Sequence, residues 1–174
     1  FIDFTYIGSL GKHKGVDTLI NAFKQINDDD IRLNLIGKGY DEEEFKQLAG
    51  DDERIIFHGF VDNRNINDYY KLSNVIIIPS ICYDNSPLVI YESFTTATPV
   101  IGSNIGGIPE LIDDGVNDYL FEAGDVNDLK DKLLEIIDNK KSLTQLEENA
   151  FESIPEKSLD IMTDKTIEAY RQLL

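Results

Sequence analysis

Short apolar runs alternate along this chain with segments whose apolar residues recur every three or four positions. That is the pattern of strand–helix–strand units that build a parallel sheet. Phe4-Thr5-Tyr6-Ile7 predicts a first strand, and Val16, Leu19, Ile20, Phe23 and Ile26 predict a helix over 15–26. Leu33-Asn34-Leu35-Ile36 predicts a second strand, closed by Gly37-Lys38-Gly39, and a helix over 42–48 leads to a third at Ile55-Ile56-Phe57. A short helix over 67–72 precedes Val75-Ile76-Ile77-Ile78. The unbroken β-branched run there marks a strand buried on both faces, and therefore a central one. Pro87 sits near the first turn of a helix that begins at 86 or 87 and runs through 96. Pro99-Val100-Ile101-Gly102 predicts a fifth strand, 106–112 a short helix, and Tyr119-Leu120-Phe121 a sixth strand. Asp125 is placed to cap a helix carrying Leu129, Leu133, Leu134 and Ile137. The stretch 142–174 reads as one or two further helices, and no repeat, linker or low-complexity tract interrupts the series. The expectation is a Rossmann-like, doubly wound α/β domain: a parallel sheet with helices on both faces, one domain over 1–174, with 141–174 as C-terminal helices.

Composition narrows the partners. The chain of 174 residues fits one domain around a single core. Its formal net charge is -17, from 33 acidic and 16 basic residues. Such a field disfavours nucleic acid and anionic membrane as partners, but not a small anion held by local cations and backbone amides. Acidic runs such as Asp28-Asp29-Asp30 and Asp41-Glu42-Glu43-Glu44 read as solvated helix faces. The longest apolar run, 75–79, is too short to cross a bilayer, so no membrane insertion is expected of this domain. Cys82 is the single cysteine and reads as a small apolar residue near a strand end, in keeping with a reducing compartment. The chain opens on Phe1 and enters a strand almost at once, so an excised piece of a longer protein is expected.

In open parallel sheets ligands gather beyond the carboxyl ends of the strands, where helix N-termini present N–H groups. The residues at those places are informative here. After the first strand comes Gly8-Ser9-Leu10-Gly11-Lys12-His13-Lys14-Gly15, a glycine loop with a local cation at Lys14. It is not a P-loop, since that pattern's second glycine would fall on His13. Gly37-Lys38-Gly39-Tyr40-Asp41-Glu42 lacks the third glycine of a dinucleotide fingerprint. After the central strand, Asp84 lies in a loop and Glu92 inside the following helix, with seven residues between them. Carboxylates accept hydrogen bonds from vicinal hydroxyls, so a polyol such as a ribose or hexose is a natural target, and a solvated acid pair is the other reading. Gly106-Gly107 offers further backbone donors, or an ordinary strand-to-helix turn. His13 reads as a solvated loop residue and His58 as a structural one.

Taken in order, Gly8…Lys14-Gly15, Gly37-Lys38-Gly39, Gly59-Phe60-Val61, Pro79-Ser80…Glu92 and Pro99-Val100…Gly106-Gly107-Ile108-Pro109-Glu110 resemble the C-terminal domain of family-4 retaining glycosyltransferases, which have the two-domain GT-B fold. The resemblance covers about 4–140. It implies a donor domain that binds a nucleoside diphosphate sugar (UDP-, GDP- or ADP-linked) and acts with an N-terminal domain holding a glycan or lipid-linked glycan acceptor. It implies no cofactor and no metal, transfer with retention of configuration, and a role in cell-surface polysaccharide or glycolipid synthesis in the cytoplasm or at the inner membrane face.

By the same resemblance Lys14 binds the donor diphosphate near the amides of Gly8, Ser9 and Gly15, a charge-assisted contact of about 1.5–3 kcal/mol. The family commonly has arginine where Ser9 stands, and Lys12 is the loop's other cation. Gly37 and Gly39 with Phe60 and Val61 surround the base. Glu92 holds the ribose hydroxyls, and Asp84, one methylene shorter than the family's glutamate, contacts the donor sugar. The amides of Ser86, Leu88 and Val89 face sugar and diphosphate. Lys14, Asp84 and Glu92 are thus the expected catalytic set. Two other readings stay open: a nucleotide-sugar 2-epimerase, which shares the GT-B architecture, and a non-catalytic sugar-nucleotide module.

Overall fold

The computed structural model describes residues 1–116, 118–154 and 159–172. Strands β1 (Ile2–Ile7), β2 (Ile31–Ile36), β3 (Ile55–Gly59), β4 (Val75–Ile78), β5 (Val100–Ser103) and β6 (Tyr119–Phe121) form a 6-stranded sheet in the order β3-β2-β1-β4-β5-β6. Every pairing is parallel. Helices α1 (Val16–Lys24), α2 (Glu42–Ala49), α3 (Asn63–Leu72), α4 (Leu88–Thr95), α5 (Val126–Asp138), α6 (Lys140–Glu152) and α7 (Leu159–Gln172) connect and follow the strands. The architecture is the Rossmann-like α/β sheet with helices on both sides that the alternating pattern predicts.

Alternation along the strands sends side chains to two cores. Ile2, Phe4 and Tyr6 of β1 and Val75 and Ile77 of β4 meet Leu19 and Phe23 of α1, Phe45 of α2 and Leu129 of α5 on one face. On the other face Ile76 and Ile78 of β4 pack with Tyr70 of α3 and with Ile90 and Phe94 of α4. All four residues of β4 are buried, as a central strand covered on both sides requires. From β1 the chain steps outward through β2 to β3, then returns to place β4 on the other side of β1, with Phe4 opposite Val75. The order therefore reverses between β1 and β4, which opens a crevice at their carboxyl ends.

Several element boundaries differ from the sequence reading, each for a local reason. Helix α3 begins at Asn63, not 67, because the Asp62 side chain accepts from the Arg64 N–H and caps a polar first turn with no apolar period to announce it. Helix α1 stops at Lys24, although Ile26 beyond it is still buried. Pro87 is the N-cap of α4 and not a residue of its first turn. The stretch 106–112 yields only a single 3-10 turn, Ile108–Glu110, because Gly106 adopts a left-handed φ of 62°. In α5 the Asp125 cap is present, accepting from Asn127 and Asp128 N–H groups, but Ile136 is buried while Leu134 and Ile137 are only partly covered. Within 141–174, α6 and α7 are helical, while 155–158 and 173–174 lie outside the described residues.

Candidate functional site

Two cavities open at the carboxyl ends of the strands where the order reverses. The first, of about 470 Å³, is lined by Gly8, Lys14, Asp84, Ser86, Leu88 and Val89 among others. The second, of about 330 Å³, is lined by Gly8, Ser9, Gly37, Phe60, Val61 and Glu92, with Asn63 and Ile66 beside them. They meet at Ile7 and Gly8, the last residue of β1 and the one after it. The expected single pocket is thus two adjoining ones, and the two acids are divided between them. Asp84, in the loop ahead of α4, lines the first, and Glu92, further along α4, lines the second.

The first cavity is electrostatically paired. Lys14 sits at the end of a short 3-10 turn, Lys12–Lys14, and its Nζ donates to Asp84 Oδ2 at 2.6 Å. Both side chains are part-exposed, at 27% and 30%. Ser80 Oγ adds a longer bond to the same carboxylate oxygen at 3.3 Å. The Asp84 backbone is braced from β5's side, since Gly107 N donates to Asp84 O at 2.7 Å. Gly106-Gly107 therefore props the Asp84 loop and lines neither cavity. The first turn of α4, Leu88 and Val89, borders the same space with the positive end of the helix.

The second cavity has an apolar wall and one acid. Phe60 is 68% exposed and so presents an open ring face next to Val61. Glu92 Oε2 accepts from the Tyr70 hydroxyl at 2.7 Å. Burial, with the Glu92 bond second, pushes the Tyr70 hydroxyl well above the ordinary tyrosine range, so it remains a neutral donor. Tyr6 is similar: burial, then the Asp84 charge, raises its hydroxyl, which donates to Ser9 O at 2.7 Å and holds the glycine loop in place.

Two residues named from sequence, Gly15 and Gly39, line neither cavity. At Gly15 (φ 66°) a Cβ would lie 1.9 Å from the Pro79 carbonyl oxygen, and at Gly39 a Cβ would lie 2.0 Å from that of Leu10. They let the loops after β1, β2 and β4 lie against one another. Lys12 lines neither cavity, and its Nζ pairs with the exposed Glu44 at 2.8 Å. His13 is exposed and gives its carbonyl to Ile81 N, and His58 Nε2 meets Asn34 Oδ1 at 2.8 Å on β2, away from both cavities. Burial lowers the His58 imidazole below its usual value. Cys82 is a free thiol 3.3 Å from Ser80 Oγ. Among the described residues no group of three or more His, Cys, Asp or Glu is gathered as a metal site, and no helix is long and apolar enough to cross a membrane.

Sequence reasoning missed Tyr70, Tyr6, Ser80, Asn63 and Ile66. A tyrosine in a polar helix carries no signal of what its hydroxyl reaches, Tyr6 reads only as strand, and Ser80 reads only as part of the motif after the central strand.

Comparison with known proteins supplies the context. An uncharacterised glycosyltransferase of Methanocaldococcus jannaschii is 32% identical over 149 residues, 84% of this chain and 41% of that protein. The chain spans less than half the length of such curated relatives. Anabaena HepE, solved in complex with UDP, superposes with a TM-score of 0.83 at 21% identity, over 99% of this chain and 49% of that one. The C-terminal domain of a glycosyl transferase group 1 family protein from Francisella tularensis gives 0.81 at 26% identity, over 90% of this chain and 85% of that one. The family described as glycosyl transferases group 1 matches residues 2–153. This chain therefore belongs to the group 1 glycosyltransferases and carries a Rossmann-like sheet, with Lys14 and Glu92 in adjoining cavities at one switch point.

Proposed function

We propose that this chain is the donor half of a family-4 retaining glycosyltransferase of the GT-B type, binding a nucleoside diphosphate sugar across the two adjoining cavities. The observation that carries the reading is their junction at Gly8, with Lys14 and α4's N-terminus on one side and Glu92 with Phe60 and Val61 on the other. A diphosphate in the first cavity has a cation and helix amides; a ribose and base in the second have an acceptor carboxylate and an apolar wall. Relatives solved with UDP and UDP-glucose support a uridine donor as the first to test.

In this reading the leaving diphosphate gains negative charge as the glycosidic bond breaks. Lys14 and the amides of Leu88 and Val89 stabilise that charge, without need of a metal, from positions fixed in advance by the fold. Asp84 contacts the transferred sugar. The acceptor, a glycan or lipid-linked glycan, is held by an N-terminal domain, in the cytoplasm or at the inner membrane face, and transfer requires both halves because positioning two substrates supplies much of the rate. Calorimetric titration of this chain with UDP, GDP and ADP, alone and as sugar conjugates, tests the reading. Binding of one nucleotide with loss on Lys14→Ala is expected, and silence with all of them overturns it.

A further inference from the structure

Tyr70 is fully buried, with its ring among Ile76, Ile90 and Phe94. Its backbone is fastened as well: Thr98 Oγ1 and Ser73 N both donate to Tyr70 O. The hydroxyl at the end of this anchored side chain reaches Glu92 Oε2 at 2.7 Å. Glu92 itself is an exposed residue with three side-chain torsions. Among the described residues the Tyr70 hydroxyl is the one side-chain partner of its carboxylate. A buried donor from the core thus holds an exposed acid at the wall of the second cavity and occupies one of its oxygens, leaving Oε1 free of protein partners among the described residues.

We propose that Tyr70 is the positioning residue of the donor site, fixing the Glu92 carboxylate so that Oε1 and the remaining lone pair of Oε2 accept two vicinal hydroxyls of the bound nucleotide. The proposal rests on the nucleotide reading of the second cavity. Without the hydroxyl, Glu92 would be ordered only when ligand binds. Ordering one rotamer-rich side chain lowers a binding constant by about 3- to 10-fold. The effect is confined to ligands carrying the hydroxyls, because the phosphates are held elsewhere, at Lys14.

The experiment compares UDP with 2′,3′-dideoxy-UDP by calorimetry on the wild-type chain, Tyr70→Phe, Glu92→Gln and the double variant. Tyr70→Phe removes one oxygen and keeps the ring in its core position. Expected is a 3- to 10-fold weaker UDP affinity in Tyr70→Phe with the dideoxy nucleotide unchanged, and no further loss when Tyr70→Phe is added to Glu92→Gln. If Tyr70→Phe weakens both nucleotides alike, or leaves UDP untouched while Glu92→Gln weakens it, the positioning role is overturned and the nucleotide reading stands. If Glu92→Gln leaves the preference for UDP over the dideoxy form intact, the ribose reading falls and the proposal with it. A second measurement needs no variant: the Tyr70 hydroxyl proton, shielded from exchange by its hydrogen bond, is expected to persist in the proton NMR spectrum when UDP saturates the chain. Its disappearance on UDP addition overturns the proposal.

Discussion

The Lys14–Asp84 ion pair sets a measurable competition. A diphosphate in the first cavity needs the ammonium that Asp84 already holds at 2.6 Å. The bare Coulomb attraction at that separation is about 6 kcal/mol for an effective dielectric near 20, but desolvation and side-chain ordering oppose it. With the two side chains 27% and 30% exposed, the net worth is about 1 kcal/mol. Asp84→Asn removes the competing charge, keeps the shape, and should tighten UDP by about fivefold at low salt. The gain should shrink as salt is raised, since the charges are within reach of screening ions. UDP-glucose should gain less than UDP, because the lost carboxylate also withdraws a sugar contact in the proposed site. Lys14→Ala alone should weaken UDP by about 10- to 150-fold, the worth of one charge-assisted contact. Calorimetry on Asp84→Asn, Lys14→Ala and the double variant at two salt concentrations decides the matter. Unchanged or weaker UDP binding in Asp84→Asn would refute the competition. So would a gain that keeps its full size in the Lys14→Ala background, because the benefit would then not come from freeing that ammonium.

Other consequences concern the scaffold. Gly15→Ala forces a Cβ to within 1.9 Å of the Pro79 oxygen at a φ of 66°, so a loss of about 2–5 kcal/mol is expected in urea unfolding; a loss below about 1 kcal/mol would contradict the close approach. Asp125→Ala removes a cap that accepts from two N–H groups of α5 and should cost about 1 kcal/mol, or about 2–4 °C in thermal midpoint. The Arg54 guanidinium, through its side-chain hydrogen bond, holds the Asp52 carboxyl below its ordinary value of 3.8. On acidification the unfolded chain therefore takes up that proton first. The pair's stabilisation is full above about pH 4 and lost as pH falls through the lowered value, so Asp52→Asn should flatten the acid limb of a stability–pH curve while leaving its slope near neutrality unchanged.

The sequence by itself determined the strands of the sheet and the loops at their carboxyl ends. Val75–Ile78 is legible as the central strand because only a segment covered on both faces can be apolar at every position. The Asp125 cap and the glycine loop after β1 are equally local signals, since a cap or a tight turn is set within a few residues. Partnerships at the site were decided by the tertiary structure alone. Lys14 and Asp84 are 70 positions apart and meet because β1 and β4 are neighbours in the sheet. Tyr70 and Glu92 meet because α3 and α4 share one face of it. The same packing turned Lys12 toward Glu44, gave Gly15 and Gly39 to interloop contacts, and divided the expected crevice into two cavities joined at Gly8. Hydrophobic period records which face of an element is buried; it carries no record of which polar tip lies across the gap from which, because that depends on strand order and on the angle at which each loop crosses its neighbour.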